Sequence, residues 1–291
     1  MKVYFKLFRI AQWIKNFFVF VPLLFSLHLF EENYFITTFR AFISFCLASS
    51  IVYIINDIVD READRAHPEK KNRPIASGKV SVKLALILAS ILSALVILLM
   101  FTFNSTFNIA VISFIILNVF YSFSFKHIVI LDVFSIAAGF SLRVLGGAFA
   151  IDVEISSWLI LTTMFISLFL GVMKRHSELS ISTEATNANT RKVLLDYNID
   201  FANQMATVAA AGVIICYALY TVAVRTISVF ETENLIYTTP FVVFGIFRYM
   251  FLVYKFDKGE NTTRIMVTDL PMILTVLSYV AVTVMIIYKI L

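Results

Sequence analysis

The stretch NDIVDREADRAHPEKKNRPIASGKV, residues 56–80, mixes acids and bases between two runs so apolar that they suit lipid. It decides the fold because it marks where water begins. Repeated apolar runs of nearly 20 residues are the mark of membrane spans. Nine such runs follow outward from it, at 14–30, 35–55, 84–103, 107–124, 128–151, 157–173, 203–229, 237–254 and 270–289. The chain of 291 residues is 60% hydrophobic, with 30 Phe and only 15% charged residues. Soluble domains carry about 25% charge. The runs are continuous rather than alternating, which excludes a β-barrel. The expectation is an all-α polytopic membrane protein of about nine transmembrane helices.

Charge sets the orientation. With the N-terminus in the cytoplasm, 19 of the 24 Lys and Arg fall on that side, at 2–15, 61–83, 126, 174–192 and 255–264. The opposite turns, such as Glu31-Glu32 and 152–156, hold no Lys or Arg. The positive-inside rule therefore predicts N-terminus in and C-terminus out. The net charge of +5 is concentrated in these loops and does not call for nucleic acid. Cys46 and Cys216 both fall within spans, a poor setting for a disulfide. The first apolar run lacks a small-residue cleavage site and is followed at once by Glu31-Glu32, so it is read as a span and not a leader. No linker or repeat divides the chain, and residues 1–291 are read as one domain.

The acids of the opening stretch have a helical register. If the second span continues as a helix through Asp64, then relative to Asn56 the residues Asp60, Asp64 and Asp57 lie at about 40°, 80° and 100°, with Glu62 turned away at about 240°. Hard oxygen ligands on one arc suit Mg²⁺, which keeps waters and takes phosphate oxygens as well. The predicted metal ligands are Asn56, Asp60 and Asp64, and the predicted catalytic acids Asp57, Asp60 and Asp64. The competing reading is a solvated helix end whose acids pair with Arg61 and Arg65. Against it stand Pro68, Lys70, Lys71, Arg73, Pro74 and Gly78, a basic and turn-rich segment directly after the acids. A metal face beside a cationic clamp can hold a diphosphate and stabilise it as it leaves.

Further candidates for substrate binding lie near the same surface. Lys15 and Asn16 open the first span, where Lys15 either binds a phosphate or snorkels. Tyr121, Ser122 and Lys126 form the turn between spans four and five. Asp132 and Arg143 lie about 20° apart on one helix face, and ionisable residues within a membrane are functional by default. They equally suit a structural pairing with another helix. Lys174, Arg175 and Glu178 begin the second large cytoplasmic segment, and Arg248-Tyr249 lie about two turns above the cytoplasmic end of span eight, where Arg248 either binds a phosphate or snorkels. Asn104 and Asn261 begin glycosylation-type triplets, a weak signal. The small residues of AAGFSLRVLGGAFA permit close helix packing within a chain or between chains, and so admit a homo-oligomer.

At NDIVDREAD the sequence resembles the UbiA superfamily of intramembrane prenyltransferases, whose first aspartate-rich motif is NDxxDxxxD. Within it the chain most resembles the decaprenyl-phosphate phosphoribosyltransferases. The resemblance rests on QWIKNFFVFVPLLFS, on DREADRAHPEKKNRPIASG, on YSFSFKHIVILDVFSIAAGFSLRVLGGAFA, on GVMKRHSEL and on PFVVFGIFRYMFLV, from about residue 12 to 254. It implies nine helices around a central cavity with cytoplasmic cap loops, in the bacterial inner membrane. The second aspartate-rich motif of ordinary UbiA-type enzymes is missing. Its place after span six reads Lys174-Arg175-His176-Ser177-Glu178. Asp196 and Asp200 have DxxxD spacing but fall about twenty residues later, where they are read as a helix start.

What the resemblance implies is transfer of 5-phosphoribosyl from phosphoribosyl pyrophosphate to a polyprenyl phosphate, Mg²⁺-dependent, with release of pyrophosphate. Two alternatives stand beside it. One is a UbiA-type aromatic polyprenyltransferase using a prenyl diphosphate, which the missing second motif disfavours. The other is a lipid-phosphate carrier without chemistry, disfavoured because no inverted repeat or paired broken helix is visible.

Overall fold

A computed structural model describes residues 2–66, 70–184, 196–256 and 268–290, the side chains of 181–184 and 256 excepted. His67, Pro68 and Asn261 lie outside the described residues, which contain helices and no strand. Eight helices are long and apolar enough to cross a membrane, and the segment Ile10–Leu24 is a shorter apolar helix. The chain divides into two compact units, 1–135 with 139–154, and 136–138 with 155–291.

The first unit begins with α1 (Lys2–Leu7), a 3-10 segment over Ile10–Phe20 and the single turn α2 (Val21–Leu24). Then come α3 (Glu32–Val59), α4 (Arg61–Ala66), α5 (Val82–Met100), α6 (Ser105–Phe123) and most of α7 (Leu131–Ala150). Helix α3 is the centre, packing on the 3-10 segment, α5 and α6. Its buried Phe45 meets the rings of Phe107 and Phe114 edge-on, at 6.1 and 5.4 Å. Sequence determines where the flanking helices start. Ser81 accepts a hydrogen bond from the backbone N–H of Leu84, and Asn104 accepts one from Phe107, each satisfying an otherwise unpaired amide at a helix start. Asn104 also donates its amide to the carbonyl of Phe149, so the triplet at 104 has a structural use.

The paired glycines of α7 let two neighbours come close. A Cβ on Gly147 would lie 2.1 Å from the carbonyl oxygen of Val19, and one on Gly146 would lie 2.5 Å from the Phe45 ring. This part of the small-residue run is thus used inside the chain.

The second unit holds α8 (Ser157–Glu184), α9 (Ile199–Val222), α10 (Val224–Phe230), α11 (Thr239–Phe256) and α12 (Leu270–Ile287). Helices α8 and α9 pack along one another, with Gly212 admitting the ring of Phe165. Asn198 caps α9 by accepting from Phe201 N–H at 2.6 Å, and Asp200 stands exposed in its first turn, as read from sequence.

Two expectations change. The run predicted as one span over 203–229 is two helices, because Ala223 takes an extended conformation (φ −63°, ψ 135°). Helix α8 continues well past the predicted end at 173, so Lys174, Arg175 and Glu178 are helical. Contacts from Arg175 and Lys174 to Glu178 at i,i+3 and i,i+4 favour that extension.

Candidate functional site

The acidic stretch does not continue α3 as predicted. The helix ends at Val59, Asp60 caps it at φ −85°, ψ 4°, and α4 restarts at Arg61. Asp64 N–H still bonds the Asp60 carbonyl at 2.8 Å, so the chain turns onward without unwinding. Glu62 faces outward, as the register predicted, and pairs with Arg65. The other acids do not pair with Arg61 or Arg65.

Asp57 is buried, and its Oδ1 accepts from both Arg9 and Arg73, the latter at 3.2 Å. Arg73 also donates to Asp64 Oδ2 at 2.7 Å, so one guanidinium bridges two buried carboxylates. Asp60 belongs to a second group. Its Oδ2 accepts from the Asn56 amide at 3.0 Å, and its Oδ1 sits 2.5 Å from Lys126 Nζ. Asp60 is thus neutralised by Lys126, and Asp57 and Asp64 share Arg73. Among the described residues no three His, Cys, Asp or Glu side chains converge on one point.

The local sequence explains how the bases arrive. Arg73 and Pro74 begin a tight turn, closed by Ser77 N–H to the Arg73 carbonyl at 2.8 Å and by Val80 N–H to the Pro74 carbonyl at 3.0 Å. Gly78 supplies the φ of 75° that this turn requires. Lys70 lies in a short 3-10 turn just before it. Lys126 is buried in the 3-10 turn Phe125–His127 that follows α6. Ser122, also buried, donates to the Asn118 carbonyl at 2.9 Å, and Tyr121 is half-buried beside it in the last turn of α6.

Arg9 was not foreseen. It stands in left-handed backbone geometry (φ 48°, ψ 47°) where the 3-10 segment begins. Its guanidinium lies 4.7 Å above the Tyr53 ring and ends on Asp57. A non-glycine residue held at positive φ is a feature that clusters at functional sites.

A third group lies deeper in the first unit. Buried Arg143 donates to Asn16 Oδ1 at 2.6 Å and to the Gly139 carbonyl at 2.9 Å, with Ser49 Oγ at 3.5 Å. Its guanidinium lies 4.5 Å from the centre of the Phe114 ring and 5.0 Å from that of Phe140. Asp132 is buried in the first turn of α7. Eleven residues along a helix is roughly 16 Å, so these two charges do not meet on their own helix.

In the second unit, Arg175 is buried and bonded to Glu178. Arg248 makes a two-pronged pair with Asp269, at 3.1 and 2.8 Å, and Asp269 also caps α12 through Met272 N–H. That carboxylate accounts for the charge of Arg248 without a phosphate. Tyr249 is buried with its ring edge-on to Phe169 at 5.6 Å.

The donor set of the first unit fits a hard divalent cation. Asp57 Oδ1 carries both arginines, while Oδ2 is buried without a hydrogen-bond partner, an anionic oxygen left unused. Asn56, Asp60 and Asp64 add further oxygens of the kind Mg²⁺ takes.

The chain is similar to known proteins in sequence and in fold. Decaprenyl-phosphate phosphoribosyltransferase of Mycolicibacterium smegmatis is 36% identical over 216 residues, 73% of this chain and 68% of that protein. The enzyme of that name from Corynebacterium glutamicum is 33% identical over 219 residues, 74% of this chain and 66% of that one. The chain thus spans about two thirds of the length of these relatives. In fold it resembles a UbiA homolog from Archaeoglobus fulgidus solved with GPP and Mg²⁺, at a TM-score of 0.72 and 17% identity, covering 98% of this chain and 99% of that one. A UbiA homolog from Aeropyrum pernix gives 0.61 at 14% identity, with all of both chains covered. Residues 17–270 match the UbiA prenyltransferase family throughout, and the chain belongs to that family.

Proposed function

We propose that this protein transfers the 5-phosphoribosyl group of phosphoribosyl pyrophosphate to a polyprenyl phosphate, releasing pyrophosphate. The observation that carries this reading is the interleaving of Arg9, Arg73 and Lys126 with Asp57, Asp60 and Asp64 in one unit. A metal site alone needs the acids, and a phosphate site alone needs the bases. A metal-bound diphosphate needs both. The name decaprenyl-phosphate phosphoribosyltransferase, carried by relatives at 31–36% identity, supports the same chemistry.

Mg²⁺ held by Asn56, Asp60 and Asp64, with the unused oxygen of Asp57, would offset charge on the departing pyrophosphate. The chain's own groups do the rest. Arg73 lies where it can exchange a carboxylate for a phosphate oxygen, and Lys126 can do the same from Asp60. Lys70 extends this basic loop. In the second unit, where UbiA-type relatives are expected to carry a second acidic motif, this chain has Lys174 and Arg175, both paired with Glu178.

In the reaction, an oxygen of the acceptor phosphate attacks C1 of the ribose. The C1–oxygen bond to pyrophosphate breaks, its electron pair leaving with the pyrophosphate. The transition state has oxocarbenium character, as in other glycosyl transfers. A phosphate monoester has a second pKa of about 6, so the nucleophile is already ionised at neutral pH and needs no strong base. Displacement from the back face inverts the anomeric centre. The active site faces the cytoplasm of a bacterial inner membrane, with the N-terminus on that side.

The test is transfer of label from phosphoribosyl pyrophosphate into an organic phase, using purified protein, Mg²⁺ and a polyprenyl phosphate. Label in the lipid, abolished by EDTA and by Asp60→Ala, is the expected result. Condensation of a prenyl diphosphate with an aromatic acid, without phosphoribosyl transfer, would move the assignment to aromatic prenylation.

A further inference from the structure

The group around Arg143 differs from the acidic site in one respect. At Asp57, Asp60 and Asp64 every base has a carboxylate, whereas the partners of Arg143 are an amide oxygen, a backbone carbonyl and a hydroxyl. None of them carries charge. Lys15, next to Asn16 in the chain, has neither a hydrogen-bond nor an ion-pair partner among the described residues. It lies within electrostatic reach of Arg143 and Arg9, both cations. Like charges gathered in a low-dielectric interior repel one another. A scaffold role would not require this. Burying an ion costs several kcal/mol, and a buried polar staple is commonly replaced by apolar side chains without loss. Two cations with no carboxylate partner, one bonded to Asn16 and the other next to Asn16 in the chain, instead create a field that draws in an anion.

The surroundings are built rather than accidental. Asn16 Oδ1 accepts from Arg143 and, at 3.3 Å, from Ser49 Oγ. The Asn16 amide in turn donates to Cys46 Sγ at 3.2 Å, which fixes its orientation. Asn16 and Ser49 are both buried. The walls are aromatic. Phe114 and Phe140 flank the guanidinium, and Phe18 meets Phe140 edge-on at 4.9 Å. A charged head with an apolar body fits such a place.

We propose that Lys15 and Arg143, framed by Asn16 and Ser49, form a second anion subsite that takes a phosphate monoester, the head group of the acceptor lipid. The identity of the lipid rests on the phosphoribosyl-transfer reading; the need for an anion does not. The donor also carries a phosphate monoester, on its ribose C5, so the same chemistry has two sources. The apolar walls favour the lipid.

The experiment is direct binding by full-length protein in detergent without turnover, using decaprenyl phosphate, the uncharged decaprenol and ribose 5-phosphate as separate probes. Wild type binds decaprenyl phosphate more tightly than decaprenol. Lys15→Met weakens decaprenyl phosphate roughly tenfold or more, the scale of a lost hydrogen bond to a charged group, and leaves ribose 5-phosphate unchanged. Arg143→Lys does the same, and because Arg143 is packed, Lys15→Met decides if that variant fails to fold. In turnover, Lys15→Met raises KM for the lipid and not for the donor. Equal affinity for decaprenol and decaprenyl phosphate, or no change in Lys15→Met, would overturn the subsite. Loss of ribose 5-phosphate binding alone would overturn the lipid assignment. Decaprenyl phosphate binding that depends on Lys15 in a protein that transfers no phosphoribosyl group would uphold the subsite and discard the reaction.

Discussion

Arg9 reaches Asp57 across 48 residues of sequence, passing over the face of Tyr53 and starting from left-handed backbone. The segment that opens the first apolar run is thereby attached to the aspartate-rich motif.

Replacing Arg9 separates its two roles. A left-handed conformation costs a side-chain-bearing residue about 1 kcal/mol relative to glycine. Arg9→Gly is therefore expected to melt above Arg9→Ala. Both should lose transfer activity to a similar extent, because neither carries a guanidinium. Equal melting would remove the strain, and retained activity in either would remove Arg9 from the site.

Lys126 and Asp60 should behave as a coupled pair. Lys126 is buried and its ammonium meets Asp60 at 2.5 Å. In a double-mutant cycle of Lys126→Met and Asp60→Asn, the interaction energy in thermal or denaturant unfolding is expected to reach about 1 kcal/mol. Additive effects would show that the pair contributes no specific stability.

Much of this arrangement is legible in the sequence. Apolar runs of membrane-spanning length place the eight long helices among the nine runs expected, because hydrophobicity is a property of local sequence. The basic turn at Arg73 is visible for the same reason, since Pro74 and Gly78 announce it. What the sequence does not display is pairing over distance. Arg9 carries no local signal, because its role depends on a positive φ and on a 3-10 rather than α geometry for residues 10–20. The end of α3 at Val59 and the restart of α4 at Arg61 follow from a single residue leaving the helix at position 60. Helical projection cannot foresee such a break. Arg248 reads equally as a snorkelling cation or a phosphate ligand until Asp269, 21 residues on, comes into contact with it.

Arg248 supplies a contrast with the site. Its pair with Asp269 ties α11 to the capped start of α12. Arg248→Gln is expected to lower the melting temperature while leaving KM for phosphoribosyl pyrophosphate within about twofold of wild type, since rim pairs contribute about 1 kcal/mol or less. A large rise in KM with unchanged melting would return Arg248 to substrate binding.

Backbone proximity gives a further test. Gly147→Ala places a methyl group against the Val19 carbonyl, whereas Gly245 has nothing within 4 Å. Overpacking of this kind costs about 1–3 kcal/mol or more. Gly147→Ala should therefore reduce the yield and melting temperature of folded protein, and Gly245→Ala should match wild type. If the two variants were equally stable, the close approach of Val19 to α7 would be refuted.

The clasp on Asp57 also bears on the order in which the protein is made. Arg9 leaves the ribosome 48 residues before Asp57, and Arg73 follows 16 residues after it. At roughly 5–20 residues per second, the second arginine trails by about one to three seconds. The carboxylate at the end of α3 thus emerges with one counterion already synthesised and a second soon to come. The order of synthesis thus brackets this buried carboxylate with its two counterions, one on each side of it in the chain.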